Sequence, residues 1–110
     1  MDSFKEIDVQ QAKELIEQGD ITIVDIRDRD SFEQDHIENA LSVNDSNIEE
    51  FVSNTDKGKP VLCYCYMGFS SQGASQYFKD KGFETVYNLI GGFTEWQNAH
   101  NISGESSNEN

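Results

Sequence analysis

Five short runs rich in β-branched and aliphatic residues alternate with five stretches of helical periodicity along this chain, and no other feature restricts its fold as much. The strand-like runs are Phe4–Ile7, Ile21–Ile26, Ala40–Val43, Pro60–Tyr64 and Glu84–Tyr87. Between the first two, Asp8 opens a helix, and Gln11 three residues later completes a capping-box pattern. Val9, Ala12, Leu15 and Ile16 then share one face until Gly19 stops it. A short polar helix spans 30–35, and Ser46-x-x-Glu49 repeats the capping-box form ahead of Ile48, Phe51 and Val52. Ala74, Tyr77 and Phe78 recur at helical spacing up to Gly82, and Gly91-Gly92 open a last helix carrying Phe93 and Trp96. Such alternation predicts an α/β fold: a mostly parallel five-stranded sheet covered by helices on both faces, with binding loops at the carboxyl ends of the strands.

At 110 residues the chain fits one domain, expected over 1–100, and the polar run 101–110 lacks apolar anchors and reads as a disordered tail. The formal charge of -13, from 21 acidic against 8 basic residues, argues against nucleic acid and anionic membranes as partners. No stretch is apolar and long enough to span a bilayer, and Met1–Glu6 has neither the basic start nor the apolar run of a signal peptide, so the expected location is cytoplasmic. Cys63 and Cys65, at C-x-C spacing, are too close to build a disulfide framework and fit a reducing compartment. With the two histidines they make no zinc spacing, so neither a metal nor a cofactor is expected.

Cys65 ends the apolar run Pro60-Val61-Leu62-Cys63-Tyr64 and opens the loop Tyr66-Met67-Gly68-Phe69-Ser70-Ser71, after which the helical pattern begins. Unpaired N–H groups at the start of that helix, with its dipole, favour a thiolate over a thiol. Gly68 in mid-loop lets successive N–H groups converge as an anion-binding nest around Cys65. Ser70 and Ser71 add hydroxyl donors and are expected to cap the helix as well. Cys65 is therefore the expected nucleophile, with the backbone of Tyr66, Met67, Gly68, Phe69, Ser70 and Ser71 as the substrate cradle. Cys63, inside the strand with no loop around it, reads as packing.

The ordered set Val24-Asp25-Ile26-Arg27, Phe32, His36-Ile37, the Cys65–Ser71 loop and Gly91-Gly92-Phe93-x-x-Trp96 resembles the rhodanese superfamily over roughly Phe4 to Ala99. It is most similar to the single-domain GlpE-type thiosulfate sulfurtransferases. That resemblance implies a ping-pong cycle in which Cys65 takes the outer sulfur of thiosulfate as a persulfide and passes it to a thiol or cyanide acceptor, or to a thioredoxin-like protein. Met67 stands where that loop has a His, and Phe69 where it has an Asn, so two polar groups are missing from the mouth; Asp35 replaces a Gly.

Rival chemistries lack their essential groups. A cysteine phosphatase needs an arginine fork in the loop, and Arg27 and Arg29 both lie early in the chain. Gly68 to Gly73 imitates a nucleotide P-loop, but Ala74 occupies the lysine position. His36, Asp25 and Arg27 read as structural polar residues, and Phe78, Phe83, Phe93 and Trp96 as core. The remaining alternative is a rhodanese fold serving as a non-catalytic binding or regulatory module, which has no physical need for a thiol at position 65.

Overall fold

In a computed structural model of the chain, residues 3–108 are described, with side chains through residue 100. The order along the chain is β1 (Lys5–Ile7), α1 (Val9–Gln18), β2 (Thr22–Asp25), α2 (Arg29–Gln34), β3 (Leu41–Ser42), α3 (Ile48–Asn54), β4 (Val61–Tyr64), α4 (Ser70–Asp80), β5 (Val86–Leu89) and α5 (Gly92–Asn108). The five strands form one sheet in the order β1-β5-β4-β2-β3, and each pairing is parallel. A parallel strand must return by a crossover, and the helices supply it. Among the described residues no helix is long and apolar enough to cross a membrane.

The alternation of side chains along each strand divides the interior into two cores. Ile23, Leu62, Tyr64 and Leu89 face α1 and α5, meeting Val9, Ala12 and Phe93. Val24, Val61, Cys63 and Val86 face α3 and α4, where Phe78 is buried and Phe51 packs against it. β4, at the centre of the sheet, is buried at every residue, which is why its sequence reads as an unbroken apolar run rather than an alternating one.

At α1 the expected capping box is present: the Asp8 carboxylate accepts from the Gln11 N–H (2.9 Å) and the Gln11 amide oxygen accepts from the Asp8 N–H (3.0 Å). Two other local expectations fail for identifiable reasons. Ser46 does not cap α3, because its N–H and hydroxyl both donate to the Asn44 side chain (2.9 and 2.7 Å), and Asn47 holds the cap position instead. β5 begins two residues later than Glu84–Tyr87, because Glu84 N–H is tied to Lys57 O (3.0 Å) and the ladder starts only where Val86 aligns with Val61. That shift carries Asn88 into the strand. The tail expected over 101–110 falls where side chains lie outside the described residues.

Candidate active site

The carboxyl edge of a parallel sheet is where successive loops converge, and here the loops after β2, β4 and β5 meet. β4 delivers Cys65 to that edge, 4% exposed. The loop then turns at Gly68, whose φ of +95° lies in the region favouring glycine. Gly68 N–H and Ser71 N–H both donate to Cys65 Sγ at 3.2 Å, and the Sγ–Ser71 Oγ distance is also 3.2 Å. Burial alone would push the Cys65 thiol up; the Ser71 hydroxyl and the amides of Ser71, Gly68 and Met67 outweigh it and hold the thiol below its usual value. Cys63 is fully buried on the same strand, and desolvation, only partly offset by the Ser75 hydroxyl, pushes its thiol up to about 12. Of the two sulfurs, Cys65 is the one poised to ionise.

Of the loop residues named from sequence, Met67, Gly68 and Ser71 turn backbone donors on the sulfur. The Tyr66 side chain points elsewhere: its hydroxyl donates to Asp28 Oδ1 (2.5 Å) and meets the Ser31 hydroxyl, both at the start of α2. The Tyr66 hydroxyl, with the Ser31 N–H and hydroxyl that also donate to the carboxylate, pulls the Asp28 carboxyl down to about 2. Met67 and Phe69 are 52% and 73% exposed, so the two departures from the GlpE-type loop give the mouth an apolar rim. Ser70 is exposed at the first position of α4. The expected capping by Ser70 and Ser71 does not occur: Phe69 holds the cap position without a side-chain bond, because the Ser71 hydroxyl is engaged with Cys65 and with Asn88 Oδ1 (2.5 Å).

The surrounding loops are fixed by a buried ion pair. Arg27 Nη2 lies 2.8 Å from Asp25 Oδ2, and Arg27 Nε donates to both carboxylate oxygens at 3.1 Å. Arg27 Nη2 also donates to Asp35 O (2.6 Å), and the guanidinium lies over the Phe93 ring at 4.2 Å. His36 stacks on Phe32 with ring centroids 3.8 Å apart, and its Nδ1 bonds Phe32 O at 2.6 Å.

Three contributors lie outside the residues expected from sequence: Asn88, Asp28 and the close approach at Gly92. Asn88 carried a signal, a polar residue inside the apolar run Val86–Leu89. Gly92 has φ +58°, and a Cβ there would stand 2.5 Å from Cys65 O and 2.6 Å from Tyr66 C and O. Without that Cβ, the start of α5 closes on the loop, with Phe93 N–H donating to Cys65 O (2.8 Å) and Thr94 N–H to Tyr66 O (3.0 Å). Gly92→Ala is expected to cost on the order of 2 kcal/mol or more and to slow iodoacetamide alkylation of Cys65. An urea midpoint and an alkylation rate equal to the parent's would show that the loop yields freely.

Residues 8–99 match the rhodanese-like domain family. Thiosulfate sulfurtransferase GlpE of Coxiella burnetii is 45% identical over 105 residues, covering 96% of this chain and 98% of that protein. GlpE of Shewanella oneidensis is 42% identical over 100 residues, 91% of this chain and 99% of the relative. Among solved structures, a rhodanese-like domain protein from Staphylococcus aureus superposes with a TM-score of 0.74 at 26% identity, covering 84% of this chain and 91% of its own. Likeness on this scale, in sequence and in fold, shows that the chain belongs to the rhodanese-like domain family.

Proposed function

We propose that the protein is a thiosulfate sulfurtransferase that uses Cys65 as nucleophile and sulfur carrier. The observation that carries this reading is the convergence of the Gly68 and Ser71 amides and the Ser71 hydroxyl on one buried sulfur. The two backbone amides, placed there in advance, stabilise negative charge on sulfur without reorganising during the reaction. A binding module would have no use for them.

In the first half-reaction the Cys65 thiolate attacks the outer sulfur of thiosulfate. A bond forms between the two sulfurs, the sulfur–sulfur bond of the donor breaks, and its electron pair leaves with sulfite. The product is a cysteine persulfide, whose charge the same amides can follow outward. In the second, a thiolate or cyanide attacks the terminal sulfur and the Cys65 thiolate is regenerated. A thiol, cyanide or thioredoxin-like protein in the cytoplasm is the acceptor class that fits this cycle, and no metal or cofactor takes part in it. The chemistry belongs to the domain over residues 1–100. The names of the relatives, thiosulfate sulfurtransferases at 42–45% identity, support the choice of donor.

Intact-mass and peptide mass spectrometry after incubation with thiosulfate test the reading. One added sulfur, mapped to Cys65 and removed by cyanide, is the expected result. An unmodified Cys65 after saturating thiosulfate would defeat it.

A further inference from the structure

The Cys65 sulfur is not the end of its hydrogen-bond chain. Ser71 Oγ lies 3.2 Å from Sγ and 2.5 Å from Asn88 Oδ1, while Asn88 Nδ2 donates to Gly68 O at 3.0 Å. Asn88 and Ser71 are both completely buried. The amide orientation of Asn88 follows from the chemistry of its two neighbours. Gly68 O can only accept, so the NH2 group must face it and the carbonyl must face Ser71. Asn88 Oδ1 is then a fixed acceptor, and the Ser71 hydroxyl has a single hydrogen to give.

We infer that Asn88 is a positioning residue for the nucleophile: it competes with Cys65 for the Ser71 hydroxyl hydrogen and so sets how readily the thiol ionises. With Cys65 as a thiol, S–H donates to Ser71 Oγ and Ser71 O–H donates to Asn88, and every group is satisfied. With Cys65 as a thiolate, the sulfur has no proton to give and the hydroxyl must turn toward it. Asn88 Oδ1 then loses its donor in a place water does not reach. The hydroxyl is thus a two-position rotor, held by Asn88 in the resting thiol and released to the sulfur when charge develops there. This inference rests on Cys65 being the reacting sulfur, the reading proposed above.

The other groups packed around the sulfur do not titrate in the relevant range. Cys63, next on the same face of β4, stays protonated because its thiol is pushed up to about 12. α4 presents Ser71 and Ser75, β5 presents Asn88, and the start of α5 contributes the backbone of Phe93, all uncharged. The Arg27 guanidinium lies 5.4 Å from the Tyr66 ring centroid, with its charge matched by Asp25, and the Asp28 carboxylate is held by the Tyr66 hydroxyl.

The test is the pH dependence of iodoacetamide alkylation at Cys65, read on the isolated peptide, in a double-mutant cycle. Asn88→Leu removes the acceptor at similar volume and should lower the alkylation pKa by about 0.5 to 1 unit. In a Ser71→Ala background, where no hydroxyl remains to be released, the same change should move the pKa by less than about 0.3 unit. A rise on Asn88→Leu, or an equal shift in both backgrounds, would overturn the inference, because Asn88 would then act only by bracing the Gly68 backbone. If Asn88→Leu does not fold, Asn88→Ser, too short to reach the hydroxyl, carries the same expectation in both backgrounds. Failure of the sulfurtransferase reading would show separately, as no sulfur gained from thiosulfate by the parent protein.

Discussion

Cys65→Ser is expected to lower sulfur transfer from thiosulfate to cyanide to the uncatalysed background, a loss on the order of a thousandfold or more, while changing stability by only about 1 kcal/mol. The asymmetry follows from the site. The serine oxygen can accept from Gly68 N–H and Ser71 N–H much as the sulfur does at 3.2 Å, so the loop keeps its partners. A hydroxyl, however, does not ionise near neutral pH, and an oxygen nucleophile has no persulfide to form. Cys63→Ser is the control: that side chain is fully buried and lies outside the donor cluster, so most activity should survive. Thiocyanate formation and thermal unfolding measure both effects. A dead Cys63 variant beside an active Cys65 variant would reverse the assignment.

Asp25→Ala should be the most destabilising single change at the carboxyl edge, costing about 3–5 kcal/mol. Asp25 is 0% exposed and the Arg27 side chain 4%, so removing the carboxylate leaves a guanidinium out of reach of bulk water with its remaining bonds unable to neutralise it. The Arg27 backbone N–H also loses its 2.8 Å bond to Asp25 Oδ1. Against the roughly 5–15 kcal/mol that holds an ordinary domain together, the loss is a large fraction of the total. The loops after β2 and β5 should loosen first, since Arg27 joins Asp35 O to the Phe93 ring. Urea unfolding at unchanged slope reads the effect. Replacing both members, Asp25→Leu with Arg27→Leu, should recover part of it, because no unpaired charge then remains buried. A single-variant loss below about 1 kcal/mol would mean that water reaches the guanidinium.

The parallel sheet, its helical covering and the position of Cys65 were legible in the sequence because each is written in local pattern. Strand runs and helical spacing repeat within a dozen residues, and the loop from Tyr66 to Ser71 supplies its own N–H groups to the sulfur. The same holds for α1, whose cap Asp8 and partner Gln11 are three residues apart. Local pattern misled where a side chain had a competing partner: Ser46 was claimed by Asn44, and Ser71 by the sulfur and Asn88.

Tertiary structure alone decided the rest of the site. Tyr66 reaches Asp28 across 38 positions of sequence, and Asn88 reaches Ser71 across 17. No periodicity within either segment encodes such a meeting. The first is set by the pairing of β2 with β4, and the second by the pairing of β4 with β5, which places Asn88 opposite Cys63, two residues short of Cys65 on the same face of the sheet. A slip of one residue in that register would turn Asn88 to the opposite face and leave the Ser71 hydroxyl to the sulfur. The sequence by itself determined that a thiol would stand at the end of a buried strand; the register of the neighbouring strand determined which groups share its hydrogen bonds, because pairing between strands fixes contacts that no stretch of chain contains.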